Sequence, residues 1–84
     1  MSPELQLIWS RKLPRPMYLD DGRTIGTLAA ARDFVLGLPM PQRGREHWQQ
    51  AAEVLLKAAY RGEQDSVQDA GAKLSRALEI DGMI

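Results

Sequence analysis

Between Leu19 and Phe34 the chain reads LDDGRTIGTLAAARDF. Adjacent carboxylates, two glycines, a basic residue and a threonine precede what reads as a helix. Three chemistries can be asked of that combination. A phosphate site would use a strand, a glycine-containing turn and a helix N-terminus in that order, because first-turn amides attract anions. The nucleotide-binding loop, however, needs GxxxxGK[ST]. Here only three residues separate Gly22 from Gly26, no lysine follows Gly26, and GxGxxG is absent. A calcium loop needs oxygen ligands at alternating positions and a closing glutamate. Asp20 and Asp21 are adjacent, and Leu28 to Ala31 occupy the downstream positions. Paired-carboxylate catalysis needs two acids aimed at one point, and neighbours on a strand face opposite ways.

A turn accounts for each residue without a ligand. Asp21-Gly22 is a hairpin dipeptide, since glycine accepts positive φ. Asp20 can bond the backbone two residues on. The chain then reaches Thr27, a good helix N-cap.

Other reactive groups are sparse. His47 is the one histidine, and Glu46 beside it is not at helical ligand spacing. Histidine catalysis would need a nucleophile or base aimed at the ring. Ser10, Ser66 and Ser75 lie in no nucleophile-elbow pattern. With no cysteine, the sequence excludes disulfides, thiolate metal sites and a cysteine nucleophile. These observations assign no catalytic residue, metal ligand or cofactor-binding residue, and the expectation is a protein that is not an enzyme.

Binding is the better prospect. Trp9 either covers the sheet or anchors a partner, since interfaces are enriched in tryptophan and arginine. Arg11, Lys12 and Arg15 follow it, and Arg43 and Arg45 sit in a later loop. Together these six residues form the expected contact set. Formal net charge is zero, which implies no general attraction to nucleic acid or acidic membrane. Residues 1–45 carry seven bases against four acids, and residues 46–84 carry four against seven. Internal, solvated complementarity of the halves explains that asymmetry. A helix-turn-helix reading would put the last helix on DNA. Asp65 and Asp69 at its start would repel phosphate there. Weak nucleic-acid binding through Arg11, Lys12, Arg15, Arg43 and Arg45 is the alternative function.

The elements that must position these groups follow from periodicity. At 84 residues the chain is one domain, and its core is small, burying about 60–65% of the unfolded surface. Pro14 and Pro16 bracket Arg15 and hold the chain extended there; residues 1–15 are expected to be extended or partly flexible. Short strands are expected at about 16–19 and 23–26, forming a hairpin over 16–26, and Leu5 to Trp9 could add a third strand. Leu28, Ala31, Phe34, Val35 and Leu38 recur every three or four residues, giving a helix over 27–38 that Pro39 stops. A polar loop over 39–45 leads to a helix over 46–61, with Trp48, Ala51, Ala52, Leu55, Leu56 and Ala59 on its apolar stripe. Gly62 suits a left-handed C-terminus. Asp65 or Ser66 should cap a helix over 66–81, whose stripe is Val67, Ala70, Gly71, Leu74, Ala77 and Leu78. Gly82 then ends it, with Met83 folding back.

The DGR turn (Asp21-Gly22-Arg23), the TL-x-x-A helix start (Thr27-Leu28 with Ala31), the Leu38-Pro39 stop and the W-x-x-A-A helix (Trp48 with Ala51-Ala52) carry a resemblance. Over about residues 17–62 the chain resembles a group of small uncharacterised bacterial proteins, chiefly alphaproteobacterial, with no assigned activity. The resemblance implies the fold rather than a function. The expectation is therefore a small α+β domain, an N-terminal β-hairpin followed by a three-helix cluster. No apolar run approaches a membrane span of about 18 residues, and no signal peptide is evident, so a cytoplasmic location is expected. The expected role is a protein–protein interaction or accessory module. Its partner, or a second copy, would meet the N-terminal segment or the hairpin edge.

Overall fold

The computed structural model describes residues 9–84. Strands β1 (Lys12–Tyr18) and β2 (Thr24–Thr27) form a two-stranded antiparallel sheet. Helices α1 (Leu28–Leu36), α2 (Met40–Arg43), α3 (Glu46–Arg61) and α4 (Gln64–Ile80) follow. The α+β class and the hairpin-then-helices order are those expected from the sequence.

Several boundaries differ from expectation for identifiable reasons. β1 starts at Lys12 rather than 16, so both prolines lie inside a strand. They are tolerated because, among the described residues, one side of β1 has no partner strand and a missing N–H costs nothing there. The register slips between Lys12↔Thr27 and Met17↔Ile25, so the proline-containing stretch bulges out of the ladder. Of the suggested third strand, residues 5–8 lie outside the described residues, and Trp9 sits in a turn with Ser10.

Asp21, not Asp20, makes the side-chain bond that closes the hairpin: its Oδ1 accepts from the Arg23 N–H at 3.0 Å. Gly22 adopts φ +93° there. The 39–45 loop contains one short helix, α2. Glu63 rather than Asp65 or Ser66 precedes α4, with no side-chain cap. α1 ends at Leu36, before Gly37.

The core forms where the helical stripes meet. α3 buries Trp48, Ala51, Leu55, Ala58 and Ala59, and α4 buries Val67, Ala70, Leu74, Ala77 and Leu78. The alanines let the two helices approach closely, while Trp48 and the leucines fill the space between them. Complete burial of a side chain such as Leu74 contributes about 1.5–3 kcal/mol. Ala52 and Leu56, expected on the core stripe, face solvent instead. They lie on the shoulder of α3, rotated past the edge of the buried arc.

β1 packs against α4, and β2 against α1. Arg11 reaches Gln64 at the start of α4, while Tyr18 lies beside Ser75 and Ile84 near its end. β1 and α4 therefore run in the same direction.

Gly71 lies in α4 beneath β1. A Cβ built there would meet Pro14 Cδ at 3.9 Å, an ordinary contact. Glycine inside a helix costs about 0.5–1 kcal/mol relative to alanine. Gly71→Ala is therefore expected to raise stability by up to about 1 kcal/mol, read from the urea midpoint. A loss would mean that β1 needs a closer approach to α4.

Candidate functional site

The stretch from Asp20 to Ala30 is closed on itself. Asp21 Oδ2 accepts from Arg23 Nε at 2.7 Å, and the Arg23 backbone N–H is the main cause holding the Asp21 carboxyl below its ordinary value. The Arg23 guanidinium lies 5.0 Å from the Phe34 ring centroid. At the N-terminus of α1 the amides already have acceptors. Leu28 N–H donates to the Arg11 carbonyl at 2.9 Å, and Ala29 N–H to the Trp9 carbonyl at 2.8 Å. Ala30 N–H donates to Thr27 Oγ1 at 3.0 Å. A phosphate would have to displace the N-terminal chain to reach these donors.

A second polar cluster surrounds Asp81. Trp48 Nε1–H donates to its Oδ2 at 2.6 Å, and the Gln42 amide to the same oxygen at 2.7 Å. His47 Nε2 sits 2.9 Å from Oδ1, and Arg45 3.6 Å from it. The side chain of Asp81 is only 5% exposed. The Trp48 bond first, then those of Gln42 and His47, hold its carboxyl down from 3.8 to about 2, against the opposing effect of burial. Asp81 and His47 together form the orienting half of an acid–base pair. No hydroxyl hydrogen-bonds to His47 among the described residues, and the carboxylate's other contacts are structural. Nor does any group of three His, Asp or Glu side chains converge to hold a metal among those residues.

Sequence reasoning missed Asp81. The available signal was its position: a carboxylate at a helix C-terminus opposes the dipole and calls for donors from elsewhere.

The six residues expected to contact a partner do not converge. Arg11 donates to the Gly62 carbonyl at 2.6 Å and to Gln64 Oε1 at 3.0 Å, closing the C-terminus of α3. Arg43 donates to the Leu36 carbonyl at 3.0 Å, closing that of α1. Arg45 faces Asp81. Trp9 is half-buried against the core, with the Arg32 guanidinium 4.8 Å from its ring centroid. Lys12 and Arg15 remain exposed on β1, without an ion pair among the described residues.

Arg15 instead borders a concavity. A groove of about 460 Å³ runs between β1 and α4. Pro14, Pro16, Met17 and Tyr18 form one wall, and Gln68, Ala72 and Ser75 the other, with Ile84 at one end. Tyr18 is 69% exposed. Leu19 N–H donates to the Arg23 carbonyl, so in alternation Met17 also turns its backbone toward β2, while Tyr18 and Pro16 turn theirs outward. The open edge of β1 is thus short of donors. It is poorly suited to ladder pairing, and contact in the groove falls to side chains.

No helix among the described residues is long and apolar enough to cross a membrane. No protein-family model, curated protein or solved structure matches the chain.

The folded carboxyl of Asp81 lies below its unfolded value, so its stabilisation is complete above 3.8 and is lost as pH falls through about 2. Asp81→Ala, which strands the buried Trp48 donor and leaves the half-buried Gln42 amide without its acceptor, is expected to cost about 2–3 kcal/mol at neutral pH in urea unfolding. It should also flatten the acid limb of the stability curve between pH 4 and 2.

Proposed function

We propose that this protein is a non-enzymatic interaction module that holds a segment of another protein in the groove between β1 and α4. One observation carries the reading: among the described residues an apolar concavity lies beside exposed Tyr18, whereas Arg11, Arg43 and Arg45 are engaged within the fold. Arg15 is the one ionisable side chain other than Tyr18 among its lining residues. The matching partner segment brings apolar side chains and a carboxylate. It docks by side chains because Pro14 and Pro16 supply no backbone donors. Nucleic-acid binding through the five basic residues is disfavoured, since Arg11, Arg43 and Arg45 have intramolecular partners. The proposed compartment is the cytoplasm, in keeping with a cysteine-free sequence.

Ala72 is exposed on the groove wall, so Ala72→Arg should block the groove and leave the fold intact. In affinity capture followed by light scattering, the wild-type chain is expected to form a complex of defined mass. The Ala72→Arg chain, with unchanged circular dichroism, should lose that complex at least about tenfold, a difference of about 1.4 kcal/mol. Equal capture by both chains, or no complex with either, would contradict the proposal.

A further inference from the structure

The outer side of α3 carries an apolar ridge. Ala52, Leu56 and Tyr60 are spaced four apart and so stand in one row along the helix. All three are exposed, Leu56 by 54% and Tyr60 by 62%. We propose that this ridge pairs with the same ridge of a second copy of the chain. The two α3 helices then run antiparallel about a two-fold axis at Leu56.

Three features of the ridge fit a copy of itself. The first is size. Antiparallel pairing about Leu56 sets Ala52 of each copy level with Tyr60 of the other, so a small residue receives each ring. The two Leu56 side chains meet at the axis, as a two-fold interface requires.

The second is charge along the helix. α3 runs from Glu46 and Glu53 to Lys57 and Arg61, acid to base. Parallel pairing would set like charges side by side, whereas antiparallel pairing sets unlike charges together. It also places the positive end of each helix dipole beside the negative end of the other.

The third is the flank of the ridge. Glu53 and Lys57 are both exposed there and are ordered as in a favourable intrahelical pair. Neither forms an ion pair among the described residues. A two-fold axis brings the same flank of both helices together. Glu53 of one copy then differs in height from the other's Lys57 by two residues, about 3 Å. The pair forms twice, once on each side of the axis. A surface shaped for an unrelated partner has no need of this self-complementarity.

Three apolar residues per copy are few beside the roughly 800 Å² per partner of a standard interface. The dimer is accordingly weak, with a dissociation constant on the order of 100 µM. α3 contributes no residue to the β1–α4 groove. A dimer therefore presents two grooves, and a partner with two matching segments gains avidity. That last consequence rests on the binding role proposed above; the pairing does not.

Sedimentation velocity of the isolated full-length chain, from about 10 µM to about 1 mM, tests the pairing. The expected result is a mass that rises with concentration from one chain toward two. Leu56→Glu, which sets two carboxylates against each other at the axis, should weaken the dimer at least about tenfold. Its circular dichroism should not change, because Leu56 is exposed. Glu53→Lys should also weaken the dimer severalfold, and Glu53→Lys with Lys57→Glu should restore it. A chain that stays monomeric at 1 mM, or a dimer indifferent to either the Leu56 or the Glu53 substitution, would overturn the proposal. No other protein is present, so its failure leaves the capture result standing, and failure of capture leaves the pairing standing.

Discussion

The fold depends on one carboxylate. Asp81 stands at the end of α4, where the helix dipole disfavours negative charge. It lies against the first turn of α3, where negative charge is favoured. The side-chain donors of Gln42, His47 and Trp48 gather around it. The bond to Trp48 matters most for the core. An indole N–H buried without an acceptor would cost about 1–3 kcal/mol, yet Trp48 is fully buried. Asp81 is what allows the largest side chain to sit at the junction of α1, α3 and α4, with Phe34 5.9 Å away. The following residues extend the tie. Gly82 takes φ +69°, Met83 N–H returns to the Leu78 carbonyl, and the Met83 carbonyl accepts from Asp20 in the hairpin turn. One short C-terminal stretch thus ties the hairpin turn to the start of α3.

The arginines do comparable work at helix ends. Arg11 and Arg43 satisfy carbonyls at the C-termini of α3 and α1, where cations also complement the dipole. Arg23 and Arg32 lie over aromatic rings. Arg45–Asp81, at 3.6 Å, is the one arginine–carboxylate pair among the described residues that joins the basic first half of the sequence to the acidic second half; the others lie within one half. Apolar groups are also exposed, in the groove beside β1 and at Leu56 and Tyr60 on α3.

The architecture was legible wherever local patterns act alone. Asp21-Gly22 made the turn, Thr27 capped α1, Gly62 and Gly82 took left-handed conformations, and the three- and four-residue spacings marked α1, α3 and α4. Reading failed where the answer depended on a distant neighbour. Ala52 and Leu56 match the apolar period of α3, but which side of the stripe is covered depends on where α1 and α4 pack. Pro14 and Pro16 discouraged a strand that an unpaired edge permits. The site was less legible still. Six residues close in sequence or charge suggested one surface, whereas the fold sends Arg11, Arg43 and Arg45 to three separate acceptors. Asp81 had no local motif, because its partners lie more than thirty residues away.

A double-mutant cycle between Trp48 and Asp81 measures the central interaction most directly. Trp48→Phe removes the indole donor, Asp81→Ala removes the acceptor, and the cycle cancels the packing change particular to each. If the carboxylate supports the core through Trp48, urea unfolding should give a coupling of about 1–2 kcal/mol. Additive losses, agreeing within about 0.3 kcal/mol, would show that Trp48 is buried without help from Asp81 and that the fold is held from elsewhere.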